Sequence, residues 1–158
     1  DLASRFDRAV IEQRRADARF RDEGLRLLHQ LLDAEGGTPD ARHVAALEIF
    51  LAVPKVREAG LKAVLERGGR ACLPLWTHMV RHLPPGRRAI AANLAAVAAW
   101  HAGDGVLAAQ AVRISLSDDS GPGNLLARAL DAALHAGMPP DHLEEHLTKT
   151  FAELDGAG

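Results

Sequence analysis

The stretch that most constrains this chain is the alanine-rich apolar tract from Ala89 to Trp100, which runs directly into His101-Ala102-Gly103-Asp104-Gly105. Alanine is the strongest helix former, and its small side chain permits close approach of a neighbouring helix. Glycine ends helices in the left-handed conformation, and aspartate caps the next one. The corner therefore predicts a helix through Trp100, a tight turn at Gly103, and a second helix running from Asp104 to about Leu116. The tract is interrupted by Asn93 and is far shorter than the roughly 20 apolar residues that span a bilayer, so no membrane segment is expected.

The same helical period recurs on both sides of this corner. From Leu2 to about Ala34 there is one long helical pattern. Its charges crowd between Glu12 and Glu23, and its apolar face is formed by Phe20, Leu27, Leu28, Leu31 and Leu32. Residues 1–19 read as a polar helix or linker, with Phe6, Val10 and Ile11 its only large apolar side chains after Leu2. Gly36-Gly37 stops the pattern. Thr38-Pro39-Asp40 starts the next helix, with Thr38 as its capping hydroxyl, Pro39 at the first helical position and Asp40 in the first turn. Pro54 either kinks that helix or opens a new one, which Gly68-Gly69 ends. Further helices are expected over about Ala71 to Leu83, through Leu125 to Leu134, and after Pro139-Pro140 with Leu143, Leu147, Phe151 and Leu154 inward. No segment alternates with β-branched or aromatic enrichment, so the chain is expected to be all-α.

His-Ala-Gly occurs at His101–Gly103 and again at His135–Gly137, a 34-residue interval, and the same step back from Gly103 lands on Gly69. Each of these glycines separates two expected helices, so residues 20–154 parse as a single domain of about four antiparallel helical hairpins, with 155–158 as a disordered tail. The interval is the period of tetratricopeptide repeats. The corner from Trp100 to Ser120 resembles the second half of such a repeat, with Ala108 at its small-residue position. His142 and Pro74 stand at the equivalent places in the flanking pairs and break the pattern. A tetratricopeptide-like right-handed solenoid and a closed bundle of hairpins are the two arrangements this leaves.

Composition narrows the function classes. Nineteen Lys and Arg against 21 Asp and Glu give a net charge of −2, spread along the chain, so no nucleic-acid surface is advertised. The single Cys72 excludes an internal disulfide and any multi-cysteine metal site. The chain begins at Asp1 without a signal-like segment, and is expected to be part of a larger cytoplasmic protein.

Few residues are arranged for chemistry. His142-Leu143-Glu144-Glu145-His146 matches the inverted zinc-protease pattern, in which two histidines on one helical face share a metal and the glutamate acts as base. Here the match follows a proline start, where Glu144 and Glu145 suit the helix dipole, and no distant acidic ligand motif accompanies it. No metal or cofactor is therefore expected, and His142 and His146 remain the only metal candidates. His78 and His82 repeat the spacing without a third ligand. His101 and His135 close successive helices, where an imidazole can cap carbonyls. Asp104, Asp118 and Asp119 suit helix capping and loop solvation. Arg67, Arg70, Arg81, Arg87 and Arg88 are expected to gather at one end of the hairpins, as a solvated rim or a contact for an acidic partner.

Several blocks carry a family resemblance: Leu83-Pro84-Pro85-Gly86, Ala96 through Ala108 including Trp100-His101-Ala102-Gly103-Asp104-Gly105, Leu125-Leu126-Ala127-Arg128, and Gly137-Met138-Pro139-Pro140. Together with Val56-Arg57-Glu58-Ala59, they resemble the C-terminal part of the bacterial domain of unknown function 4192 family over roughly Arg21 to Leu147. Ser115, Ser117 and Ser120 depart from its pattern. The resemblance implies an actinobacterial, cytoplasmic protein and carries over no functional residue.

The expectation is a non-catalytic protein-interaction or scaffolding module, binding a protein or peptide with Trp76, Trp100, Arg81, Arg87 and Arg88 as partner contacts. Self-association is left open. The alternatives are an accessory domain supporting an enzymatic region elsewhere, and weak nucleic-acid contact through the arginine rim.

Overall fold

The computed structural model describes residues 1–34, 38–142, 144 and 145, and every regular element among them is helical. The order is α1 (Leu2–Asp33), α2 (Ala41–Phe50), α3 (Pro54–Arg67), α4 (Gly69–His82), α5 (Ala89–His101), α6 (Gly105–Asp118) and α7 (Leu125–His135). A further helical turn opens at Pro140. Gly36-Gly37, Leu143, His146, Leu147, Phe151, Leu154 and the tail 155–158 lie outside the described residues. No helix among the described residues is long and apolar enough to cross a membrane.

The chain forms two compact units, residues 1–60 and 61–158. The sequence suggests a change of character near residue 20, but α1 continues unbroken through that point, and the division falls inside α3. In the first unit, Asp1 caps α1 by accepting from the Ser4 N–H at 2.8 Å. Asp40, not Thr38, caps α2, accepting from the His43 N–H at 2.9 Å. Pro39 thus precedes the cap instead of lying in the first turn. Pro54 opens α3, and Arg57 turns back to donate to the carbonyls of Leu51 and Ala52 at 2.9 and 3.0 Å, satisfying groups that the end of α2 leaves unpaired.

Leu28 and Leu47 are wholly buried in this unit. Gly24 lies where α1 meets the α2–α3 corner: a Cβ there would stand 2.9 Å from the side chains of Phe50 and Val56. One turn earlier, the Phe20 and Phe50 rings pack with centroids 4.7 Å apart.

In the second unit α5 is the central element. Every residue from Ala91 to Trp100 is buried, so it has no polar face, as expected of a helix covered on all sides. The sequence expects one apolar face at the helical period; the alanines between those positions are buried as well. Gly69 sits so close to the end of α5 that a Cβ would come within van der Waals overlap of the Ala98 carbonyl and the Ala102 N–H. The start of α4 therefore meets the end of α5, and the two run antiparallel. Gly68, not Gly69, takes the positive φ, at 92°, and Gly69 begins the new helix. At the other end of α5, Arg88 pairs with Asp118 at the end of α6, so α5 and α6 also run antiparallel.

Candidate functional site

The residues expected to be partner contacts fall into different environments. Trp76 is fully buried and Trp100 is 4% exposed, so both rings are core residues and neither is presented to a partner. Their positions at helical spacing beside other apolar residues are what a core stripe requires. Arg67 and Arg70 flank the start of α4, whereas Arg81 and Arg87 lie at its far end. Arg70 and Arg81 are about 16 Å apart along the helix axis. The five arginines thus do not gather at one end.

Arg88 is already engaged. Its Nε and Nη2 donate to the two oxygens of Asp118 at 2.9 and 2.8 Å, and its backbone N–H donates to the same carboxylate at 2.8 Å. The Asp118 side chain is 3% exposed. The Arg88 guanidinium, with the backbone N–H groups of Arg88 and Gly86, holds the carboxyl down at about 2. This is a two-pronged ion pair fastening the start of α5 to the end of α6.

A second buried polar group lies beside it. Asn124, at the start of α7, donates from Nδ2 to Ser115 Oγ at 2.9 Å and to the Asp119 carbonyl at 3.0 Å. Since a carbonyl can only accept, this fixes the Asn124 amide, and its oxygen receives Asn93 Nδ2 at 3.0 Å. Asn93 Oδ1 and Trp76 Nε1 are buried without a hydrogen-bond partner among the described residues. The network joins α5, α6 and α7. Asn93 breaking the apolar tract is the visible signal in the sequence, but its partner stands 31 residues away and no local pattern announces it.

The histidines separate similarly. His78 and His82 stack with centroids 3.9 Å apart and planes at 26°, so their in-plane lone pairs run side by side and do not converge on a metal. His142 is exposed on the turn after Pro140. Among the described residues no group of three or more His, Cys, Asp or Glu is placed to hold a metal ion. Burial pushes the Cys72 thiol up, which favours the inert protonated form.

His101 does not cap carbonyls. Its Nδ1 accepts from the backbone N–H of Gly69 at 3.1 Å, and its Nε2 stands 3.6 Å from Glu144 Oε2. His135 has the same sequence context but turns onto its own helix, with Nδ1 2.8 Å from the Asp131 carbonyl.

The first unit presents a surface instead of a cluster. At 100° per residue, Leu2, Phe6 and Val10 lie on the same face of α1 as Phe20, Gly24 and Leu28. The C-terminal third of this stripe receives the α2–α3 corner. Toward the N-terminus it continues uncovered: no α1 residue before Gly24 is buried, Leu2 is 83% exposed and Phe6 is 69% exposed. Gln13 and Asp17 interrupt the stripe and hydrogen-bond to each other at 2.9 Å.

With these elements placed, the relatives can be stated. The family model for "Domain of unknown function (DUF4192)" matches residues 1–141. The chain belongs to the DUF4192 family. No curated protein and no solved structure matches it. The DUF4192 match includes the exposed half of α1, the Arg88–Asp118 pair, the Asn93–Asn124 network and both His-Ala-Gly corners.

Proposed function

We propose that this DUF4192 chain is a non-catalytic protein-interaction module. Its contact surface is the uncovered N-terminal stretch of α1, and its partner is a protein helix carrying an apolar stripe. The observation that carries the reading is the alignment of the α1 apolar residues: the face that accepts the α2–α3 corner at Gly24 and Leu28 carries, beyond the polar step at Gln13 and Asp17, the exposed Phe6 and Leu2. A surface already built to receive a helix at one end is suited to receive one at the other. Both signs of charge flank the stripe, Asp7 and Arg14 on one side and Arg5 on the other, which favours a helix of mixed charge over a polyanion.

The finer architecture belongs to the same proposal. The antiparallel α4–α5 and α5–α6 pairs, with matching helix ends at Gly103 and Gly137, support a tetratricopeptide-like array in the second unit that acts as the rigid support. A cytoplasmic setting suits the one buried, unpaired cysteine.

Photo-crosslinking tests the surface. A benzophenone amino acid at Phe6, on the stripe, is expected to capture one defined helical protein in host cells. The same group at Arg15, on the opposite face of α1, is expected not to do so. Equal capture from both positions, or capture only of a second copy of the chain, would overturn the reading.

A further inference from the structure

We propose that His101 is a protonation-sensitive clasp, holding the first turn of α4 to the end of α5 as a neutral ring and releasing it when the ring gains its second proton. The donor at Nδ1 is a backbone N–H, so this nitrogen must carry its lone pair. The single ring proton of the neutral state is then on Nε2, facing Glu144 Oε2 at 3.6 Å. A second proton can go only to Nδ1, where it would meet the Gly69 N–H head-on. The two donors would repel, and the Gly69 N–H, one of the first-turn donors with no partner inside its own helix, would lose its acceptor. Glu144 would keep its contact and gain an opposite charge.

The surroundings make this an either-or choice. Gly69 is buried against the backbone of Ala98 and Ala102, too close even for a Cβ, so α4 has little room to slide to another acceptor. The positive end of α4 opposes the charged ring, whereas Glu144 favours it. Glu144 is the only carboxylate within ion-pair distance of His101 among the described residues. On α6, Asp104 is occupied in capping Leu107 at 3.0 Å. Arg67 on α3 and Arg70 on α4 are the cationic groups nearest Gly69 in the chain. His135 provides an internal control, since its ring lies on its own helix and its side chain is 79% exposed.

The experiment is amide exchange of Gly69 in the full chain, read as a protection factor from about pH 8 to about pH 5, with nitrogen NMR following the His101 ring over the same interval. The expected result is a neutral ring protonated at Nε2 at the upper end, and a fall in Gly69 protection of about fivefold as the ring becomes charged, the size of one net hydrogen bond. His101→Asn offers an oxygen near the place of Nδ1 that does not titrate, and should keep Gly69 protection level. His135→Asn should behave as the parent chain. An Nδ1-protonated neutral ring, a ring that never charges in this interval, a charged ring with unchanged Gly69 protection, or an equal fall in His101→Asn would each overturn the clasp. The ring measurement decides the matter in the parent chain alone should His101→Asn not fold.

Discussion

The two His-Ala-Gly corners share three residues and one backbone geometry, yet they do different work. At the first, Gly103 donates to Trp100 at 2.9 Å and Asp104 to Ala99 at 2.8 Å; at the second, Gly137 donates to Leu134 at 3.2 Å and Met138 to Ala133 at 3.0 Å. Both are Schellman ends, with φ of 84° and 68° at the glycine. The imidazole at the first corner reaches across to another helix, while the one at the second stays on its own. The local code fixes how each helix stops. What the histidine then does depends on whether another backbone arrives beside it, and only at the first corner does Gly69 bring one.

The largest effect should therefore come from keeping that backbone away. Gly69→Ala places a methyl group into the Ala98 carbonyl, and backbone cannot rotate aside. A fall of about 3 kcal/mol or more in the free energy of urea unfolding is expected, and the hydrogen bond from the Gly69 N–H to His101 should break with it. Gly24→Ala provides the contrast. Its neighbours are the Phe50 and Val56 side chains, which can give way, so a loss of about 1–2 kcal/mol is expected there. Equal losses at the two glycines would mean that the α4–α5 crossing is looser than its geometry.

Acid titration distinguishes the fastening at the start of α5 from the imidazole at its end. Asp118 is held at about 2 against an ordinary value of 3.8. Its contribution is complete above the ordinary value and is lost as pH falls from about 4 through about 2. The shift corresponds to a contribution on the order of 2 kcal/mol at most, once solvent screening is counted. Asp118→Asn should remove this acid-sensitive part of the unfolding free energy and leave any change between about pH 8 and 5 intact. A variant that flattens the near-neutral region instead would show that the two ends of α5 are not separate fastenings.

How much of this is legible in the sequence follows the same division between local and distant causes. Pro54, Gly103, Gly137 and Pro140 punctuate helices where a residue type forces the backbone, and those boundaries are readable. Gly69 is not, because two adjacent glycines cannot be told apart locally: Gly68 takes the turn, and Gly69 is required by a helix some 30 residues away. The membership in DUF4192 is readable from the Trp100–Gly105 block, but the work of Asp118, Asn93 and His101 is not. Their partners Arg88, Asn124 and Gly69 lie about 30 residues off, where only packing brings them together. The α1 surface is partly legible. Leu2 and Phe6 stand at the right angle to align with the buried stripe, but the polar residues from Glu12 to Glu23 hide that alignment until burial shows which residues the corner reaches.

The smallest expected effect tests what the two corners share. Nothing lies within 4 Å of a Cβ built at Gly103 or Gly137, so substitution there is penalised by backbone conformation and not by crowding. A β-branched residue resists positive φ more than most, and Gly103→Val and Gly137→Val should each cost about 1–2 kcal/mol in unfolding free energy. If the corners are the same device locally, the two losses agree, even though only the first has an imidazole reaching across. A much larger loss at Gly103 would mean that the left-handed turn also sets the position of His101, which sits two residues before it in the last turn of α5. The Gly69 amide protection of Gly103→Val decides between these: kept, the stop and the clasp are independent; lost, the turn is what aims the ring.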